Sequence, residues 1–156
     1  MGKIVTATLS FGATMEFSRL LPVWLSNGWK FTQETPPFFR EVYETGAGIE
    51  REFDHEPSDA KTLNEFLREL DEIYASGKNT VVNLEHGELF AYVAWQHDTP
   101  AGMNECEFTL VGSSIRIADG VSTYGHTNWN HVFSLIAQPL YNNGIFIECL
   151  TLYEDF

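Results

Sequence analysis

Apolar residues along this chain recur every second position over most of its length, and every three or four positions in three stretches. Residues 3–9 alternate β-branched or apolar with small polar residues and predict a first strand. After a loop over 10–14, a helix is expected over 15–26, with Leu20, Leu21, Trp24 and Leu25 on one side. Pro22 must kink this helix, or the regular part begins just before it. Asn27-Gly28 is a stop signal, because glycine accepts the left-handed conformation that follows a helix. Residues 29–33 predict a second strand, Thr35-Pro36-Pro37 a break, and 38–45 a further extended run. Gly46–Gly48 reads as a turn, with 49–53 pairing back as a hairpin.

The clearest element is a helix over residues 58–76. Leu63, Phe66, Leu67, Leu70, Ile73 and Tyr74 repeat at helical spacing, Ser58 is the expected N-cap, and Gly77 is the stop. Two strands over 80–85 and 88–96 follow, joined by a tight turn at His86-Gly87. A polar loop over 97–104 leads to a strand over 105–111 and a short one over 114–118. Asn128 caps a last helix over 129–142, with Trp129, Val132, Phe133, Ile136 and Leu140 in its stripe. Asn143-Gly144 stops it, and a final strand runs over 145–153. The residues Pro22 to Phe31 and Pro139 to Ile147 echo each other as proline-bearing helix, Asn-Gly stop and strand. Either a duplicated unit or the shared chemistry of helix stops accounts for the echo.

Strands cluster mid-chain and helix–strand units lie at both ends. That order predicts an α+β fold, a mainly antiparallel sheet of six to eight strands with about three helices packed on it, and argues against a doubly wound parallel sheet. The 156 residues fit one domain spanning 1–156. The 44% apolar and 14% aromatic content supplies a core without disulfides or metal.

Charge changes the picture. The chain carries 22 acids against 9 bases, net −13. Residues 1–40 are net +2, residues 41–78 net −7 and residues 79–156 net −8. Such a field repels nucleic acid and anionic membrane and draws in basic partners. Solubility alone is the plainer consequence of the same charge. No run approaches a membrane span, and Met-Gly-Lys-Ile-Val-Thr does not open a secretory signal, so a cytosolic protein is expected. Cys106 and Cys149 fit no metal or redox spacing. Buried, reduced thiols are expected, with a pair across adjacent strands as the alternative.

Motif chemistry is sparse. Ser10-Phe11-Gly12-Ala13-Thr14 lies at a strand–helix junction but has one glycine and no phosphate-binding lysine. Asp54-His55-Glu56 sets three ligand types in a row, yet adjacent residues rarely face one metal, and His126 and His131 are five apart. Ser113, Ser114, Cys106, His97, Asp98 and His126 are nucleophiles and bases without a nucleophile elbow or other catalytic context. No metal or cofactor is expected.

What remains is surface recognition. Glu65, Glu69 and Glu72 lie on the polar side of the 58–76 helix within about 60° of one another. Lys61 and Arg68 flank them within pairing reach. Asp54, Glu56 and Asp59 extend the acidic ridge, and these six residues form the expected docking face for a basic protein, with an ordinary solvated helix face as the alternative. The acidic run over 50–72, in a small domain without a catalytic motif, resembles the small acidic immunity proteins of bacterial toxin systems. That resemblance implies a tight one-to-one complex with a cognate basic toxin, of nuclease type, with acidic side chains opposite its Arg and Lys. It transfers no individual residue role. Two further readings stand beside it. One is a phage-type inhibitor that mimics the charge of DNA against a host nucleic-acid enzyme. The other is a small enzyme or ligand-binding domain with a pocket near Trp95, His97, Tyr124 and His126.

Overall fold

The alternating runs assemble into one long antiparallel sheet. The computed structural model describes residues 4–12, 15–44, 56–96, 104–112, 115–117, 120 and 125–155. In chain order the elements are β1 (Ile4–Phe11), α1 (Phe17–Leu25), β2 (Lys30–Phe31), β3 (Phe39–Glu44), β4 (Glu56–Pro57), α2 (Leu63–Ala75), β5 (Lys78–His86), β6 (Leu89–Gln96), β7 (Asn104–Val111), β8 (Arg116–Ile117), β9 (His126–Thr127), α3 (Trp129–Asn142) and β10 (Cys149–Asp155). Among the described residues the main sheet has eight strands in the order β10-β1-β7-β6-β5-β3-β4, with β2 also paired to β5. Every pairing is antiparallel, and β8 and β9 form a separate two-stranded ribbon. The α+β expectation of six to eight strands and three helices is therefore what the chain adopts.

Register explains the layers. Val5, Ala7 and Leu9 of β1 stand opposite Leu110, Phe108 and Cys106 of β7, which stand opposite Ala91, Val93 and Trp95 of β6. Because side chains alternate across a strand, this set shares one face of the sheet. It forms one core with Phe17, Leu20, Leu21 and Trp24 of α1, Phe66 and Leu70 of α2, and Val132, Ile136 and Leu140 of α3. All three helices thus cover that face. The ring of Trp24 stands edge-on to Phe108 at 4.7 Å, and Phe66 stacks on Phe38 at 4.9 Å. Edge-to-face and offset geometries of this kind suit the ring quadrupoles.

Both proline-bearing helices keep their proline inside. In α3, Pro139 has no N–H to give to the carbonyl four residues back, Leu135. The buried indole of Trp29 donates to Leu135 O at 2.9 Å, and that of Trp24 donates to the next carbonyl, Ile136 O, also at 2.9 Å. Two tryptophans following and ending α1 therefore tie it to the proline turn of α3. The echo between the two helix ends has a local cause. Trp29 N–H donates to Trp24 O and Ile145 N–H to Leu140 O, each five residues back around a left-handed glycine, Gly28 or Gly144. This is the Schellman closure that Asn-Gly stops favour.

Several boundaries differ from expectation. The second helix begins at Leu63, not residue 58, and its N-cap is Thr62, whose side chain accepts from Glu65 N–H at 3.2 Å. Ser58 is drawn off because its hydroxyl donates to Glu69 at 2.5 Å, an interaction eleven residues away that local pattern does not encode. The first helix begins at Phe17 rather than 15. The β5–β6 hairpin pairs His86 with Leu89, which moves the two-residue turn from His86-Gly87 to Gly87-Glu88. The second strand shortens to two residues, and β10 starts at Cys149 rather than 145. Asn128 caps α3 as expected, accepting from His131 N–H at 3.1 Å. The turn at 46–48 and the strand at 49–53 lie outside the described residues.

Cys106 and Cys149 are both free, but only Cys106 is buried as expected; Cys149, on the edge strand, is exposed. They flank β1 on opposite sides, opposite Leu9 and Ser10 respectively, and so point to opposite faces. Two strand spacings, roughly 10 Å, separate them, beyond disulfide reach. The cross-strand pair is thereby excluded. Burial, and secondarily the negative charge of Glu107, pushes the Cys106 thiol well above its usual range. Native protein is expected to lose Cys149 rapidly to a thiol-specific reagent and to keep Cys106 until unfolding, as read by mass spectrometry of the labelled peptides. As pH rises past about 8.5, the unfolded chain ionises Cys106 while the folded chain holds its proton, so this thiol's contribution to stability declines. Stability equal at pH 8 and pH 10 in wild type and Cys106→Ala would contradict that.

Candidate functional site

The structure divides the six acidic residues expected to form a docking face. Asp54 lies outside the described residues, and Glu56 is placed by its backbone in β4. Glu65 closes the start of α2, where its carboxylate accepts Lys61 N–H at 2.8 Å. This is a near relative of the capping box, Thr62 and Glu65 sitting three apart at a helix start. Lys61 thus meets Glu65 through its backbone.

Glu69 is the most committed of the six. Its carboxylate takes the Arg40 guanidinium at 3.2 Å and the Ser58 hydroxyl at 2.5 Å. Arg40 is 15% exposed and Glu69 28%, so this pair fastens β3 and the approach to α2 in a half-dry setting. The Ser58 hydroxyl also accepts Ala60 N–H at 3.1 Å. Asp59 and Glu72 remain exposed, and Glu72 borders a groove of about 400 Å³ between α2 and the sheet, with Arg40, Val42, Ile73 and Lys78. Another α2 acid has a structural use the sequence pattern did not reveal. Asp71 accepts Ser18 N–H at 3.1 Å, and so caps the first turn of α1, whose own N-cap Glu16 makes no side-chain cap bond.

The alternative pocket does not assemble among the described residues. Trp95 is fully buried under the helices, with its ring near Phe11, Phe17 and Tyr74. His126 is exposed in β9, next to Thr127, which bonds Glu154 opposite Val5. Trp95 belongs to the row of Cys106 and Leu9, four residues further along the strands, or roughly 13 Å. His97 and Tyr124 lie outside the described residues. A different cavity of about 240 Å³ opens where β5 passes from β3 to β2, lined by Phe31, Phe38, Phe39, Phe90, Gln33 and Asn83. Among the described residues, no three of His, Cys, Asp and Glu are grouped to hold a metal, and no helix is long and apolar enough to cross a membrane.

The sheet shows an asymmetry that the linear charge count hides. The four contiguous strands β10, β1, β7 and β6 contain no Lys or Arg, yet carry Glu105, Glu107, Glu154 and Asp155. Glu154 is absorbed by Arg116 at 3.6 Å and by Thr127, which anchors the β8–β9 ribbon to β10. Glu105 and Glu107 stand on the face away from the helices, with Gln96 and Ala94 of β6 on one side and Ser10 and Thr8 of β1 on the other. The Ser10 hydroxyl lies 3.5 Å from Glu105. Exposed Glu148 lies beside the same end of β1, its N–H donating to Ser10 O at 2.9 Å. The result is a half-sheet of one charge sign, half-exposed and flanked by hydroxyls.

Comparison of the chain with known protein families, with curated proteins and with solved structures found no match.

Proposed function

We infer that this protein is an inhibitor of the immunity type, which binds and neutralises a basic protein domain through an acidic surface. The observation that carries the reading is the half-sheet without a single basic residue, where Glu105, Glu107 and Glu148 cluster at one end. A rigid sheet holds its carboxylates at set spacings, so a partner's Arg and Lys meet them without ordering flexible loops. Exposed Asp59 and Glu72 add to the field that steers such a partner, whereas Glu65 and Glu69 serve the fold first.

The test is a pull-down from lysate of the source organism at low and at moderate salt, followed by kinetics on the recovered protein. One basic partner is expected, with an association rate that falls steeply as salt rises. Glu105→Lys with Glu107→Lys should slow association at least tenfold while the unfolding midpoint stays near wild type. A nuclease-like partner supports immunity. A host nucleic-acid enzyme replaces it with charge mimicry, and no protein partner at either salt sinks both.

A further inference from the structure

Among the described residues, β10 forms an open edge of the main sheet. Its seven residues pair with β1 without interruption, from Ile4 opposite Asp155 to Ser10 opposite Cys149. Among the described residues nothing pairs with its other side. An open edge presents a row of backbone donors and acceptors, and proteins normally blunt it with Lys, Pro, a bulge or a short strand. The stretch Cys149 to Tyr153 has none of these devices; the strand's two charges, Glu154 and Asp155, come at its last positions, where Glu154 meets Arg116 and Thr127 of the ribbon. Leu150 and Leu152, on the helix side, are only partly buried against the core, and Tyr153 on the opposite face is exposed.

An exposed aromatic group lies at the start of the same strand. Phe133 and Tyr141 of α3 have ring centres 6.4 Å apart, and Phe146 lies 5.9 Å from Tyr141. Phe146 is 72% exposed and precedes Cys149 by three residues, so its backbone is within about 10 Å of the edge. Large exposed aromatics clustered beside an unpaired edge form the two halves of a strand-addition site, in which backbone bonds hold the guest and side-chain contacts select it.

Charge decides the occupant. The strands of the half-sheet ending in β10 carry acids and no base of their own, Arg116 of the ribbon meets Glu154 at the far end, and exposed Glu148 directly precedes the edge strand. A second copy of this chain would bring a net charge of −13 against −13. We propose that β10 is the docking edge for the basic partner: an extended segment of that partner, alternating basic and apolar side chains, adds to the sheet beside β10 and covers Phe146 and its neighbours. This rests on the reading above and specifies its mode of contact.

The probe is a synthetic peptide, acetyl-Lys-Val-Thr-Val-Lys-Val-Thr-Val-Lys-amide, set against the same peptide methylated on every second backbone nitrogen. The two have equal charge and differ in strand pairing. Binding is followed by calorimetry and by amide hydrogen exchange of the full chain. The expected result is tighter binding of the unmethylated peptide by at least tenfold, new protection at alternate amides of β10, and a several-fold loss with Phe146→Ala. Equal affinity of the two peptides, or protection confined to the Glu105 and Glu107 strands, overturns the edge while leaving an acidic docking face intact. No binding of either peptide overturns the edge as well, and the lysate pull-down then judges the inhibitor reading separately. Concentration-dependent dimerisation with protection along β10 in the free protein overturns it in favour of a second copy.

Discussion

Trp29→Phe is expected to destabilise the fold by about 2–3 kcal/mol, although the apolar ring is retained. The indole N–H is what the site needs. Pro139 cannot donate to Leu135 O, and Trp29 supplies the missing donor at 2.9 Å in a buried setting. An unsatisfied buried carbonyl costs about 1–3 kcal/mol, and the smaller ring adds a packing loss on the order of 1 kcal/mol. Pro139→Ala offers the internal control, since it restores a backbone N–H four residues after Leu135. In that background Trp29→Phe should cost about 1–2 kcal/mol less, a coupling that a double-mutant cycle in urea resolves. A cost that is the same in both backgrounds would show that the indole acts through packing alone. The total stability expected for a chain of this length, roughly 8–20 kcal/mol, leaves the single variant folded and measurable.

Glu69→Lys is expected to cost about 3 kcal/mol, because it sets a second cation against Arg40 where water is largely excluded. Arg40 and Glu69 are 15% and 28% exposed, which places the effect at the low end of buried ion pairs. The Ser58 hydroxyl loses its acceptor at the same time. Glu65→Lys should cost about 1 kcal/mol through the lost cap and the helix dipole. Asp59→Lys and Glu72→Lys should stay within about 0.5 kcal/mol, as exposed changes do. Thermal or urea unfolding of the four single variants checks the order. A Glu69→Lys protein as stable as Glu72→Lys would mean that the Arg40 pair contributes nothing to the fold. The order matters for function, since reversing Glu65, Glu69 and Glu72 together would confuse loss of folding with loss of a docking face.

The inhibitor reading and its edge-docking extension place the partner on the strands rather than on α2. The acids of α2 are numerous, but two of the three on its expected ridge make intramolecular contacts, and Asp71 caps α1. The strand acids are fewer and are set on four strands that contain no Lys or Arg of their own, Arg116 of the β8–β9 ribbon meeting Glu154 alone of those described. Local concentration of one sign governs steering and complementarity more than total charge does.

Hydrophobic periodicity by itself determined the fold class, because burying one face of a strand or one stripe of a helix dictates the repeat of apolar positions. The bounds 129–142 and the Asn128 cap were legible to the residue, since a cap and an Asn-Gly stop are local, whereas Trp129 and Phe133 of the expected stripe are exposed and Leu135 is buried in their place. The acidic excess and the reduced state of the two thiols were also legible. Tertiary structure decided the rest. Thr62 rather than Ser58 begins α2 because Glu69, two turns into the helix and itself paired with Arg40 of β3, engages the Ser58 hydroxyl. The tryptophan donors to α3 join residues more than 100 positions apart. The one-signed half-sheet exists because the strand order sets β1 between β7 and β10, bringing Glu105 of one strand close to Glu148 at the start of another. Strand order depends on which faces pack together across the whole chain, and no local pattern of residues encodes it.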